Sequence, residues 1–258
     1  MVAERDVREI GGAWASFQHH SFPAPPADLA PCVDHFWAVT WDLSGQPPYR
    51  QLIVPNPTVQ LSFLDGEAWV HGVGRRSGYK VLAGVGRVFG AAFRPGCFRP
   101  FLGRSVSTLT GRSVPAGEVF ADVPSVSEDV EESARIVADF LRSVLPPPDP
   151  TAQHVADVVA LVAAEPAITR VDELAARLDT HVRSLQRLFA EYVGVGPKWV
   201  IRRYRLREVT ERMARSVAID WAALAAELGY SDQAHLTRDF SAMAGESPTR
   251  YAARYPQP

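Results

Sequence analysis

Arg183, Gln186 and Arg187 stand at i, i+3 and i+4, a spacing that gathers three side chains on one face of a helix. Arginine pairs bidentately with guanine and glutamine with adenine in a major groove, so the trio has the chemistry to read base edges. Gln233, Ala234, His235, Thr237 and Arg238 form a second set of this kind. There the alanine and threonine methyls suit the thymine methyl. Behind the first set, Leu185, Leu188 and Phe189 have core spacing. Behind the second, Leu236, Phe240 and Met243 do.

Both sets belong to one duplicated pattern. Leu185/Leu236, Arg187/Arg238, Phe189/Phe240, Gly194/Gly245 and Pro197/Pro248 recur 51 residues apart. Each copy reads as a short helix, a tight turn and a second helix with a polar face, which is the helix-turn-helix pattern, and in the second copy the turn needs positive φ at Gly229. Two copies in one chain can read two successive grooves without a dimer. Residues 197–215 between them predict a connecting helix opened by a proline and carrying seven basic residues. Its arginines, Arg202 and Arg203 foremost, divide between phosphate contact, which positions without specifying sequence, and plain solvation. Trp199, Tyr204, Trp221 and Tyr230 read as core.

Composition bounds the rest. The chain has 258 residues, 47% hydrophobic and 22% charged, enough for two folded domains. It has no apolar run near the roughly 18 residues of a membrane span. Met1 to Ile10 is charged and lacks the apolar core of a signal peptide, so a cytoplasmic protein that engages no membrane is expected. Cys32 and Cys97 read as reduced packing residues. The net charge of −2 is unevenly spread: 14 Lys and Arg against 11 Asp and Glu from Pro166 on, 13 against 18 before it. The basic excess falls on the duplicated segment, as phosphate contact requires.

The N-terminal part reads as β-rich. Residues 36–41, 51–54, 59–64 and 68–71 are short runs of β-branched and aromatic residues divided by turn signals, of which Asp65-Gly66 is the best hairpin signal. Residues 127–145 then predict a helix, Pro146 to Pro150 an extended, fairly stiff linker, and residues 152–164 an apolar-striped helix. The expected fold class is α+β multidomain. A β-rich N-terminal domain, a cupin-like barrel or a sandwich, spans residues 1–145. The linker spans 146–150, and an all-α domain with two helix-turn-helix units spans 151–258.

Trp37, Trp41, Phe63, Trp69, His71 and Arg94 are the candidate ligand-binding residues of the first domain, with plain core packing the competing reading for the aromatic ones. His19, His20, His35 and His71 contain no compact H-x-H beside an acid, so no metal is expected, and neither is a cofactor or a catalytic residue. The alternative is a cupin-like metal or thiol enzyme tethered to DNA, in which Cys97, flanked by Arg94 and Arg99, would supply the thiol.

Residues 153–255 resemble the AraC/XylS family of bacterial transcription regulators. The likeness lies in Leu174-Ala175-Ala176, in the run from Leu185 to Phe189, in Gly196-Pro197, and in Ala225-Ala226-Glu227-Leu228-Gly229-Tyr230. It continues through Phe240, Ser247-Pro248 and Tyr251. Tyr230 stands where the family usually has Phe. The resemblance implies two helix-turn-helix units joined by a long helix and bound to promoter DNA. It places base readers at Arg183, Gln186, Arg187, Gln233, Ala234, His235 and Arg238. Residues 49–56, 70–74 and 89–96 resemble a subclass with a small β-rich sensing domain, which implies a small-molecule effector or a homodimer, and RNA polymerase as a partner of an activator.

Overall fold

The computed structural model describes residues 16–214 and 219–253; the charged N-terminal decapeptide, Arg215 and Tyr255 named above lie outside them. The described residues hold eight strands, β1 (Gln18–Ser21), β2 (Val33–Asp42), β3 (Tyr49–Ile53), β4 (Gln60–Leu64), β5 (Glu67–His71), β6 (Gly78–Leu82), β7 (Val85–Phe93) and β8 (Ser113–Pro115), with a helical stretch between the last two. Six of them form an antiparallel sheet in the order β1-β2-β7-β4-β5-β8, and β3 and β6 pair as a second, two-stranded sheet. This is the β-rich domain expected, built as two sheets.

Alternation along the strands sorts side chains between the two faces of the large sheet. Phe36, Ala38, Leu61, Phe63, Val70, Phe89 and Ala91 are buried on one face. They pack there with Val137, Phe140 and Leu141 of α2 (Val130–Ser143), which follows a four-residue α1 (Arg99–Leu102). The opposite face carries rows that the register fixes. Trp37, Gly90, Ser62, Trp69 and Pro115 lie side by side across five strands, with His35, Ala92, Gln60, His71 and Ser113 in the next row. Gly90 is needed under the first row, because a Cβ there would lie 2.4 Å from the Trp37 ring. Asp65 and Gly66 adopt φ of 52° and 80° and close the β4–β5 hairpin, the left-handed pair a two-residue hairpin turn requires.

The chain crosses Val144–Asp149 and enters α3 (Pro150–Ala164). Asp149 caps α3 by accepting from the backbone N–H of Thr151 and Ala152 at 2.8 and 3.2 Å. The first unit is α4 (Val171–Arg177) and α5 (Val182–Tyr192), followed by the connecting helix α6 (Pro197–Ala214). The second is α7 (Trp221–Glu227) and α8 (Gln233–Ala244), and α9 (Pro248–Ala252) closes the described chain. Two separate cores hold these helices. Val155, Val159, Leu174, Leu185, Phe189 and Val200 form the first, and Leu206, Val209, Leu224, Leu236, Phe240 and Met243 the second. Val73, from the loop after β5, is also buried in the first core, so the β-rich part and unit 1 share apolar packing. No helix among the described residues is long and apolar enough to cross a membrane.

Candidate nucleic-acid interface

The two turns are built alike. In unit 1 the N–H of Asp179 donates to Ala176 O and that of Thr180 to Ala175 O. In unit 2 Gly229 donates to Ala226 O and Tyr230 to Ala225 O. Asp179 and Gly229 both sit at positive φ, 47° and 67°, which bears out the conformation expected of Gly229. A Cβ on Gly229 would approach Thr169 Cγ2 to 2.9 Å. Behind each turn a leucine and a phenylalanine of the second helix are fully buried, Leu185 and Phe189 in α5, Leu236 and Phe240 in α8. That anchoring leaves the other face of each helix in water.

On that face of α5, Arg183, Gln186 and Arg187 are exposed, and on α8 Gln233, Ala234 and Arg238 are. None of these charged or carboxamide side chains has a hydrogen-bond or ion-pair partner. The arginines around them are engaged. Arg170 pairs with Asp172 at 2.9 Å, Arg177 with Glu165, Arg202 with Asp239 at 2.8 Å, Arg207 with Glu211 at 2.7 Å and Arg212 with Glu208 at 2.9 Å. Among the exposed arginines of the described helical region, Arg183, Arg187 and Arg238 are the ones without a partner. His235 and Thr237 are half-buried; His235 stands edge-on to the Tyr230 ring and its Nδ1 lies 3.1 Å from Ser231 Oγ.

Arg203 is placed elsewhere. It extends from α6 to the β-rich part, where Nε donates to Pro55 O and Nη2 to Asn56 Oδ1. Burial works against its charge, and two oxygen acceptors offset part of that cost. One turn earlier, Trp199 Nε1 donates to Arg75 O at 3.2 Å. This side of α6 thus meets the N-terminal domain. Arg205 lies on the unit 2 side, 8% exposed, with its guanidinium 4.0 Å from the centre of the Tyr230 ring. The Tyr230 hydroxyl is buried without a partner, and burial pushes its pKa up to about 12. Phenylalanine, the residue the resemblance leads one to expect, would leave no such orphan.

Further contacts bind unit 1 to the β-rich part. Arg99 Nε donates to Glu191 Oε1 at 3.1 Å, Ser105 Oγ to Ala190 O at 3.3 Å, and Thr110 Oγ1 to Gly194 O. The sequence reading missed these residues, and Val73 with them. A lone valine in a glycine-rich loop has no periodicity to mark it, and hydroxyls that meet backbone carbonyls have no signature.

The candidate ligand-binding residues do not converge. Trp37, Trp69 and His71 share the rows described above, while Phe63 points to the opposite, helix-covered face because it is one residue out of phase. Trp41 packs at the far end of β2 with Leu43, Tyr49 and Leu82. Arg94 lies in the loop after β7, its backbone N–H bonded to Cys32 O. His71 bridges two hydroxyls, Nε2 to Ser62 Oγ and Nδ1 to Ser113 Oγ, both at 2.7 Å. Burial first, and Lys80 second, hold its pKa below the usual value, so a neutral imidazole donates to one serine and accepts from the other. The Cys97 thiol is pushed up to about 11 by burial, and Cys32 is raised for the same reason. Both are thiols, not thiolates, near neutral pH. No group of three or more metal-ligating side chains gathers among the described residues.

Residues 174–254 match the family model described as a helix-turn-helix domain, and residues 21–115 that of a domain of unknown function, DUF6597. The C-terminal region is thus a helix-turn-helix DNA-binding domain. Its duplicated form, with the long helix between the units, makes it a domain of the AraC type. No curated protein matches the chain. Among solved structures, the C-terminal domain of the Geobacillus stearothermophilus response regulator AraT is 18% identical over 40% of this chain and 84% of its own (TM-score 0.36). An apo ToxT variant from Vibrio cholerae is 12% identical over 86% and 98% (TM-score 0.45). Wild-type ToxT with unsaturated fatty acid bound is 11% identical over 81% and 91% (TM-score 0.38). These likenesses are distant.

Proposed function

We propose that this protein is a sequence-specific transcription regulator whose α5 and α8 enter two successive major grooves of promoter DNA. One observation carries this reading: the two duplicated helices present Arg183, Gln186 and Arg187, and Gln233, Ala234 and Arg238, in water with unspent donors, while neighbouring arginines are paired. His235 and Thr237 lie at the edge of the second surface, Thr237 offering its methyl to thymine. Arg202 is held by Asp239 beside α8, where it can reach a phosphate only by leaving that partner. Arg203 serves in coupling the two domains.

The first domain controls the second. A small-molecule effector on the face that carries Trp37, Trp69 and His71 has a short route to unit 1. His71 ends β5, and Val73, two residues on, is buried in the first helical core. An effector acts only through unequal affinity for two arrangements of the reading heads. The protein works in the cytoplasm, without catalysis. Its partners are promoter DNA and the effector, joined by a second copy of the chain or by RNA polymerase where the promoter requires them.

The test is selection of genomic fragments by purified protein at physiological salt. The expected result is an enriched site with two short boxes about one helical turn apart. Retention of all fragments alike, with no enriched sequence, would contradict specific reading.

A further inference from the structure

The N-terminal domain is acidic as a whole, yet from Ala68 to Gly117 it contains eight basic residues and no acidic one. Two loops of that stretch lie against unit 1. The loop after β5 and the segment from Gly103 to Arg112 are tied to each other, Gly72 N–H donating to Arg112 O and Gly111 N–H to Val73 O, both at 2.9 Å. Each is then fastened to the helical domain at the end of α5 or the start of α6. Ser105 and Thr110 bond the backbone at the C-terminal end of α5, at Ala190 and Gly194. Arg75 O accepts from Trp199 at the start of α6. On the far side Ser77 lies so close to the α8 cap that a Cβ on Gly245 would meet its Oγ at 2.7 Å. The loops therefore hold a fixed place beside both units.

Arg75, Arg76 and Arg104 are exposed on these loops, and no hydrogen bond or ion pair engages their guanidinium groups. Other arginines of the same stretch are used internally: Arg99 by Glu191, Arg87 by Ser127 O and Arg112 by Thr108 O. Three unspent guanidinium groups held at the end of a recognition helix match the chemistry of a DNA backbone, because each presents donors to phosphate oxygens and releases a counterion on contact.

We propose that Arg75, Arg76 and Arg104 form a third DNA contact, supplied by the N-terminal domain, that grips backbone phosphates flanking the groove read by α5. This rests on the DNA-binding reading above and extends it. The domain that senses also holds DNA. The contact adds affinity without sequence preference, since phosphates are the same at every step. It also gives effector control a direct lever, because any shift of the loop after β5 moves these charges with it.

The experiment compares the full chain with the combined variant Arg75→Gln, Arg76→Gln, Arg104→Gln. Binding is measured from low to high salt on a duplex carrying the enriched site and on an unrelated duplex. All three residues are exposed and unpartnered, so an unchanged melting profile is expected. Loss of three phosphate contacts makes the plot of log affinity against log salt shallower by about 2.7. Affinity at physiological salt falls roughly a hundredfold on both duplexes, while the ratio between them is kept. A wild-type protein that binds, with a variant of the same slope and affinity, overturns the third contact and leaves the two-headed reader intact. A wild-type protein that binds neither duplex at low salt overturns the DNA-binding reading itself. A variant that loses the ratio between duplexes would show base reading by these arginines, and would overturn the backbone role.

Discussion

Asp179 and Gly229 occupy the same place in the two helix-turn-helix units, at φ of 47° and 67°. The backbone makes the same turn with the same pair of hydrogen bonds in each. The supports around those turns differ. In unit 2 both helices are capped by side chains. Asp220 accepts from the N–H groups of Ala222 and Ala223, and Asp232 from that of His235. In unit 1 neither Arg170 nor His181 supplies a cap bond. Unit 1 is held from outside instead, by Val73 in its core and by Arg99, Ser105 and Thr110 along α5. Unit 2 carries its own caps and touches the N-terminal domain only near Gly245 among the described contacts, whereas unit 1 is tied to that domain through its core and along α5.

The sharpest way to break this comparison is Gly229→Val. It places a branched Cβ at positive φ and within 2.9 Å of Thr169, and is expected to destabilise unit 2 by about 3 kcal/mol. Hydrogen exchange should show α7 and α8 losing protection while α4 and α5 keep theirs; equal loss in both units would mean they fold as one. Next come Arg187→Ala and Arg238→Ala, each expected to cost roughly 1–3 kcal/mol of specific DNA affinity and to relax preference in its own box. If either variant bound the selected site like wild type, that helix would not be a reader.

Asp220→Ala removes the cap of α7 and should cost unit 2 about 1 kcal/mol in denaturant unfolding. An unchanged midpoint would show that packing alone sets the helix start. Asp179→Gly relieves a non-glycine residue at positive φ and should stabilise unit 1 by about 0.5 kcal/mol. A lower melting temperature would mean that the aspartate side chain itself supports the turn. The smallest effect is one of pH. The bond from His235 N–H holds the Asp232 carboxyl below the usual carboxylate range. A depressed folded pKa stabilises the protein above the unfolded value, and that contribution is lost as pH falls through the folded one. Asp232→Asn keeps a capping side chain but cannot titrate, so its stability should fall less steeply in acid; identical acid profiles would remove Asp232 from the account.

The duplicated domain was readable because its signals are local. Apolar residues at helical spacing, a glycine that must sit at positive φ and a proline opening α6 each act within a few positions, and repetition after 51 residues doubles the signal. The β-rich part was readable only in pieces. The four apolar runs and the Asp65-Gly66 turn become β2 to β5, but β1, β6 and β8 are short and polar or exposed. Pairing with partners far along the chain specifies them, and no local pattern does.

By itself the sequence determined the two reading heads, their outward residues and the helix that joins them. Burial of Leu185, Phe189, Leu236 and Phe240 leaves the opposite faces of α5 and α8 no other direction. Only the tertiary structure decided which of these arginines are spent. Arg202 turns to Asp239, Arg203 to Pro55 and Asn56, and Phe63 away from the two tryptophans. The reason is physical. A side chain's face follows from its own few neighbours in sequence, but its partner lies up to 148 residues away, and only the packing of one element on another brings the two together.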